Sequence, residues 1–314
     1  MNRADVEAAA RRLRVCRTPF LKSAWLSDRC QADVWIKLEA VQPGGSFKIR
    51  GAFNALMQLR ANHPQVNEVV TASAGNHGVA MSIAARELGI SLRVHVPKTA
   101  PEAKRKTLVA NGATLIEQAD YDEAERLARE DAAASGTLYI SPYNHPDVIA
   151  GAGTVALEML EDKPDLDAIV VPLGGGGLLA GAALVTTGHV RQVRVIGAEA
   201  ESSPVFTAAL SAGDITPVTV HPTLADGLAG NMEPGSQTFA MVRDLVDAVA
   251  LVAESSIETA MRSLVWRERL IAEGAGATGV GALLQGGLGL EGARVGVMVT
   301  GRNVDASVLR RILA

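Results

Sequence analysis

Short β-branched runs alternate with helix-patterned segments along most of this chain, and that alternation restricts the fold more than any other feature. Strand-like runs fall at 34–38, 68–71, 93–96, 114–117, 138–141, 168–173, 194–197, 248–252 and 294–299. Amphipathic segments lie between them at 76–88, 101–110, 121–134, 257–271 and 277–284. A parallel neighbour is reached only through a crossover long enough to hold a helix, so this order predicts parallel sheets covered by helices on both faces. Nine strands with their helices exceed one compact sheet. The pattern therefore predicts two doubly wound α/β domains. No fixed-period repeat interrupts it.

Bulk properties narrow the function classes. With 314 residues, 48% hydrophobic and 20% charged, the chain can bury a large core and has no disordered composition. A formal charge of −4 with both signs interspersed leaves no basic footprint for nucleic acid. Cys16 and Cys30 form no metal-ligand spacing, and so few thiols suit a reducing compartment. The start, MNRADVEAAARRLR, is charged from its third residue, unlike a secretory signal. The one long uncharged run, 168–188, contains Pro172 and four consecutive glycines, which would break a membrane helix at its centre. A cytoplasmic protein without membrane or nucleic-acid partners is expected.

Three glycine turns fall where strands should end and helices begin, the places where open parallel sheets collect ligands. A fourth turn carries a lysine. In Gly44-Gly45-Ser46-Phe47-Lys48-Ile49-Arg50-Gly51-Ala52, Lys48 opens a helix behind two glycines and beside an aromatic ring. An amine attacks a carbonyl only after losing its proton, and a half-buried helix start favours that loss. Of the seven lysines, Lys98, Lys104 and Lys106 read as solvated surface, and Lys48 is the one set among glycines and apolar neighbours.

The run Pro172-Leu173-Gly174-Gly175-Gly176-Gly177-Leu178-Leu179-Ala180-Gly181 combines close backbone approach with a helix N-terminus, the parts of a phosphate site. A dinucleotide site is a second reading. Gly175, Gly177 and Ala180 match G-x-G-x-x-A, and Glu199 stands about 20 residues on, where a ribose-binding acid belongs. The turn Ser73-Ala74-Gly75-Asn76-His77-Gly78 suits a carboxylate, with Asn76 either capping its helix or reaching a ligand. His77 lacks a partner motif and reads as structural; no zinc motif accompanies the six histidines. The third turn, Thr300-Gly301-Arg302-Asn303-Val304-Asp305, puts a hydroxyl at a strand's carboxyl end.

From Arg17-Thr18-Pro19 to Asp305 these motifs, in this order and spacing, resemble the fold type II pyridoxal phosphate enzymes (tryptophan synthase β-like), specifically the serine/threonine dehydratase and serine racemase group. The resemblance decides against the NAD-dependent reading, which explains neither the lysine turn nor the other two. It implies that Lys48 carries pyridoxal 5′-phosphate as a Schiff base, that Phe47 packs on the ring, and that Asn76 bonds its phenolic oxygen. It further implies that Gly174, Gly175, Gly176 and Gly177 hold the phosphate and that Thr300, where serine is commoner, meets the pyridine nitrogen. Ser73, Ala74, Gly75, Asn76 and His77 would receive the substrate carboxylate, and Glu273 would lie near the cofactor. The implied activity is loss of water from a β-hydroxy amino acid, L-threonine or L-serine, giving a 2-oxo acid and ammonia. The alternatives are 3-hydroxyaspartate or a phenylserine as substrate, or racemisation of serine. A homodimer is implied too.

The chain departs from the family pattern in three places. Ala74 replaces the serine that moves a proton in the racemases, which favours dehydration. Glu199 matches one ligand of a divalent-cation site, but Val205 stands where a second carboxylate is expected; Ser203 and Glu201 are the other oxygens that could contribute, and no metal is assigned. Arg302 replaces a small residue and reads as a surface side chain, the alternative being a reach toward an acidic group of the substrate. The resemblance divides the chain into a large domain, 1–62 plus 142–314, and an inserted small domain, 63–141. With Ala314 following directly, the regulatory module of biosynthetic threonine dehydratases is not expected.

Overall fold

The computed structural model describes residues 1–100 and 102–314. Its strands are β1 (Phe20–Lys22), β2 (Asp33–Leu38), β3 (Glu68–Ala72), β4 (Ser91–Pro97), β5 (Thr114–Gln118), β6 (Leu138–Tyr139), β7 (Ala168–Leu173), β8 (Arg194–Ala200), β9 (Ala248–Val252) and β10 (Arg294–Val299). They form a six-stranded sheet in the order β1-β2-β10-β7-β8-β9 and a four-stranded sheet in the order β5-β4-β3-β6. Every pairing is parallel except that of β1 with β2. The alternation of strand and helix thus yields two parallel-sheet α/β layers, as read from the sequence.

Burial on both faces explains why the strands were visible. All six residues of β7 are buried, so the strand reads as a continuous apolar run rather than an alternating one. Strand β1 gave no such signal, because it has three residues and two of them are exposed. The helix expected over 257–271 is shorter than its periodicity suggested. It runs Glu254–Ser263, passes into a π turn at Leu264–Glu268, and stops at Arg269 in the left-handed region with φ 59°. A π turn inserts a residue into the helical repeat without disturbing the apolar spacing before it. The helix expected over 101–110 is described from Glu102 to Ala110, its first residue lying outside the described residues.

Helix Lys48–Asn62 joins the two layers. Ile49, Ala52, Leu56 and Leu59 are buried in one core with Val69, Met81 and Val94 of the four-stranded layer. Each such aliphatic side chain contributes roughly 1.5–3 kcal/mol when fully buried. The other side of the helix crosses helix Pro146–Asp162 where Gly51 meets Gly151; a Cβ on Gly151 would strike the backbone of Arg50 and Gly51.

The largest fully buried side chains are both cations, Arg50 and Lys37. Arg50 Nε and Nη2 donate to the two Glu39 oxygens, each at 2.8 Å. Its Nη1 and Nη2 also reach Glu158, at 2.7 and 2.9 Å. Lys37 donates to Glu158 at 2.6 Å and to the Thr18 carbonyl at 2.8 Å. Two cations therefore meet two carboxylates in a closed, neutral cluster. Among the described residues, no helix is long and apolar enough to cross a membrane.

Candidate active site

The lysine turn is fastened to the carboxyl end of β10. Gly44 and Gly45 adopt φ of 75° and 76°, a left-handed turn closed to side chains with a Cβ at little cost only to glycine. The turn delivers Ser46 to an antiparallel bridge with Gly301. Phe47 N–H donates to the Thr300 carbonyl and Arg302 N–H to the Gly45 carbonyl, both at 3.0 Å. Lys48, next in the chain, opens helix Lys48–Asn62. Its amine donates to the Pro142 carbonyl at 2.8 Å and lies 5.1 Å from the centroid of the Phe47 ring. Burial, with no opposing cause, lowers its pKa to about 8. No carboxylate pairs with it among the described residues, so a large neutral fraction exists near pH 8.

The turn Ser73–Gly78 leaves β3 and opens helix Asn76–Leu88. Ser73 Oγ accepts from Gly75 N–H at 3.2 Å, holding the turn open ahead of the helix. Asn76 is not a cap; Gly75 occupies that position without a side-chain bond. His77 is buried, with Nε2 at 3.1 Å from Thr71 Oγ, whose own hydroxyl donates to the Ile140 carbonyl at 2.8 Å. Burial first, and then the Lys48 charge, push its pKa down to about 3. A neutral, enclosed imidazole fits the structural role read from the sequence. Ala74 is half-buried and carries no proton.

The glycine loop leaves β7 and opens helix Gly177–Thr186, whose first turn has no capping side chain. Helix starts carry N–H groups without intrahelical partners and the positive end of the helix dipole. Side chains wall the loop from behind. A Cβ on Gly174 would meet Leu228, one on Gly175 the Tyr143 ring, and one on Gly176 both Phe206 and Thr238. Thr238 Oγ donates to the Gly175 carbonyl at 2.8 Å. Only the bare backbone can therefore face a ligand here. Tyr143 directly follows Pro142, the residue that receives the Lys48 amine, so the loop and the lysine flank one segment.

Thr300 directly follows β10 and is 4% exposed. Glu273, 5% exposed, precedes helix Gly274–Gln285, and its N–H donates to the Gly301 carbonyl at 3.0 Å. Its Oε1 accepts from Asn76 Nδ2 at 2.6 Å. Burial raises the Glu273 pKa to about 7, the Asn76 bond pulls it back, Asp226 raises it and Lys104 lowers it. The sequence-derived residues Phe47, Asn76, Glu273 and Thr300 are thus linked by hydrogen bonds at the Thr300–Gly301 segment, and Lys48 follows Phe47 directly in the chain.

Sequence reasoning passed over Asn303. Its Nδ2 donates to Asn76 Oδ1 at 2.7 Å and to the Gly44 carbonyl at 2.8 Å. The only signal for it was an amide side chain just past a strand's carboxyl end, inside a motif already singled out. Lys104 is corrected from free surface: it is 24% exposed and bonds Asp226 at 3.3 Å. The Arg302 side chain is exposed and makes no ion pair or side-chain hydrogen bond among the described residues. Glu199 spends its oxygens on the start of helix Val205–Ala212, accepting from Phe206 N–H (2.6 Å), Thr207 N–H (2.9 Å) and Thr207 Oγ (2.6 Å). No group of three or more potential metal ligands occurs among the described residues.

The Lys48 amine and the uncapped helix start of the glycine loop both border the Pro142–Tyr143 segment, and comparison with known proteins identifies the family. Residues 12–301 match the pyridoxal-phosphate dependent enzyme family, and the chain belongs to it. It is 38% identical over 312 residues to the L-threonine ammonia-lyase of Thermotoga maritima, covering 98% of this chain and 77% of that one. It is 37% identical over 313 residues to the catabolic L-threonine dehydratase of Escherichia coli, covering 98% and 94%. Among solved structures, maize serine racemase superposes with a TM-score of 0.91 at 33% identity, covering 99% of this chain and 96% of that one. The processed threonine deaminase isoform 2 of Solanum lycopersicum gives 0.91 at 30% identity, covering 98% and 90%.

Proposed function

We propose that this chain eliminates water from a small β-hydroxy amino acid, L-threonine or L-serine, and releases a 2-oxo acid and ammonia. The observation that carries the reading is the Lys48 amine, half-buried, unpaired with any carboxylate among the described residues, bonded to the Pro142 carbonyl and held near pKa 8. Relatives named as threonine dehydratases at 37–38% identity over nearly the whole chain support the same substrate class.

In this reading Lys48 binds the carbonyl of pyridoxal phosphate, which when bound supplies the electron sink for breaking a Cα–H bond. Gly174, Gly175, Gly176 and Gly177 would hold the phosphate with backbone N–H groups, and a Cβ on any of them would collide with Leu228, Tyr143, Phe206 or Thr238 behind the loop. Phe47 lies against the ring, Asn76 donates to its oxygen, and Thr300 meets its nitrogen with a neutral hydroxyl. The turn from Ser73 through Ala74, Gly75 and Asn76 to His77 orients the substrate carboxylate at the start of its helix. Once released, the Lys48 amine takes the substrate Cα proton; a pKa near 8 suits a base that must be neutral at working pH. Ala74 offers no proton from the opposite side, so elimination is favoured over inversion.

Residues 63–141 form an inserted small domain that closes over substrate, the remainder forming the large one, and the enzyme works in the cytoplasm as a homodimer. Purified protein should show a visible band at roughly 410–420 nm, the range expected of lysine-bound cofactor. A 2-oxo acid assay across threonine, serine, 3-hydroxyaspartate and phenylserine then identifies the substrate. A colourless protein that pyridoxal phosphate does not reconstitute, or no keto acid from any member, would sink the reading.

A further inference from the structure

Three motifs meet in one chain of side-chain amides. The Gly44 carbonyl can only accept, so the Asn303 amide must turn its nitrogen toward it, as the 2.8 Å bond requires. The same nitrogen donates to Asn76 at 2.7 Å, so Asn76 must present its oxygen to Asn303. The Asn76 nitrogen then faces Glu273 and donates to Oε1 at 2.6 Å. One of its two hydrogens is used there, and the other remains for a ligand in the cleft. Room for the chain comes from two glycines. A Cβ on Gly45 would strike the Asn303 amide, and one on Gly301 would strike the Glu273 carboxylate and the Asn76 amide.

We propose that Asn303 is a positioning residue for the reaction: it fixes which end of the Asn76 amide faces Glu273, and so commits the second Asn76 N–H to the cofactor's ring oxygen. The inference rests on the pyridoxal phosphate reading of the site. Without Asn303 the Asn76 amide can rotate, and its oxygen can face the Glu273 carboxylate, two acceptors in contact. The ring oxygen then loses its donor for part of the time, and Glu273 loses the bond that favours its ionised form. The groups facing Glu273 are the Asn76 amide, the Asn303 backbone N–H, Asp226 and Lys104; of these only the amide is rearranged by the substitution.

The test uses full-length protein as wild type, Asn303→Ala, Asn303→Ser and Glu273→Gln. Cofactor-free samples are titrated with pyridoxal phosphate to obtain its Kd, and the visible band of the loaded protein is followed against pH. Activity with L-threonine gives kcat and KM separately. A step in the pH titration that disappears in Glu273→Gln belongs to Glu273. Asn303→Ala should weaken cofactor binding and lower kcat by about ten-fold or more, the usual effect of losing a hydrogen bond to a buried polar group, while KM stays within about three-fold. The Glu273 step should move to higher pH. Asn303→Ser is too short to span the gap, should behave like alanine, and serves where alanine does not fold. Wild-type Kd, kcat and titration midpoint in the variant that folds would overturn the proposal, even with reduced melting temperature. A wild-type protein that takes up no cofactor would instead overturn the functional reading on which it stands.

Discussion

Lys48 and Arg50 stand two residues apart on one helix, Arg50 buried and Lys48 half-buried, and their surroundings are opposite. Burial opposes the charge of Arg50, but Glu39 and Glu158 occupy its guanidinium from two sides and hold its pKa raised. Lys37 completes that cluster against Glu158, so each charge has its counterpart. Lys48 has a carbonyl and an aromatic ring but no carboxylate, and its pKa falls to about 8. Glu273, across the site, has an amide but no bonded cation, and its pKa rises to about 7. Burial alone therefore does not create reactive groups in this protein. Burial without a counter-charge does, and the fold keeps the two regimes two residues, about half a helical turn, apart.

The largest effect that could break this contrast is at Lys48. Lys48→Ala should remove the visible band and lower turnover at least about 10³-fold, as loss of a group acting in concert with the rest of a site does. Urea denaturation should find it no less stable than the parent, because a desolvated, unbalanced amine has been removed. Arg50→Met should do the reverse. Leaving Glu39 without its cationic partner, and Glu158 with Lys37 alone, should cost about 3–5 kcal/mol of stability in the same denaturation experiment. A loss below about 1 kcal/mol would show that the cluster is not compensated as its geometry indicates.

Glu273 sharpens the comparison through pH. Its folded pKa of about 7 lies above its ordinary 4.5, so the unfolded chain releases this proton first. The stability associated with the group is fully present below pH 4.5 and is lost as pH rises toward about 7. Cofactor-free Glu273→Gln should therefore match the parent near pH 4.5 and exceed it by up to about 3 kcal/mol above pH 7.5. A constant difference across pH would refute the assigned cause. Ala74→Ser adds a proton carrier beside the reactive groups and should create D-serine from L-serine, detectable by chiral chromatography but slower than keto acid formation. Equal rates of the two in the unmodified protein would show that position 74 does not govern the outcome. The smallest effect sets the scale for paired charges in water. Arg126 and Glu130, with 57% and 58% of their side chains exposed, should contribute no more than about 0.5 kcal/mol, measured as the stability change of Arg126→Ala.

The two regions also differed in how far the sequence disclosed them. Parallel strands are buried on both faces, so β7 and β10 stood out as apolar runs, and the turns after them fell in place at the carboxyl ends. Lys48, Asn76 and the glycine loop sit in local motifs whose chemistry is readable without knowing the fold. The Arg50 cluster is not local. Its carboxylates lie 11 and 108 positions away, and one apolar register shift would have left them unpaired. Asn303 escaped for the same reason, being 227 positions from Asn76. Strand β1 and the π turn at Leu264–Glu268 were missed because each is shorter than any periodic signal.

The place of β10 in the larger sheet governs when the enzyme can first exist. A ribosome makes β1 and β2 early and β7, β8 and β9 much later, and neither group pairs with the other until β10 is inserted between β2 and β7. A nascent chain up to that point holds two slabs with open strand edges, the condition that invites aggregation and chaperone capture. The residues that follow β10 then clasp the lysine turn through Thr300, Gly301 and Arg302. Closing the larger sheet and fastening the lysine turn therefore both wait on β10 and the three residues after it.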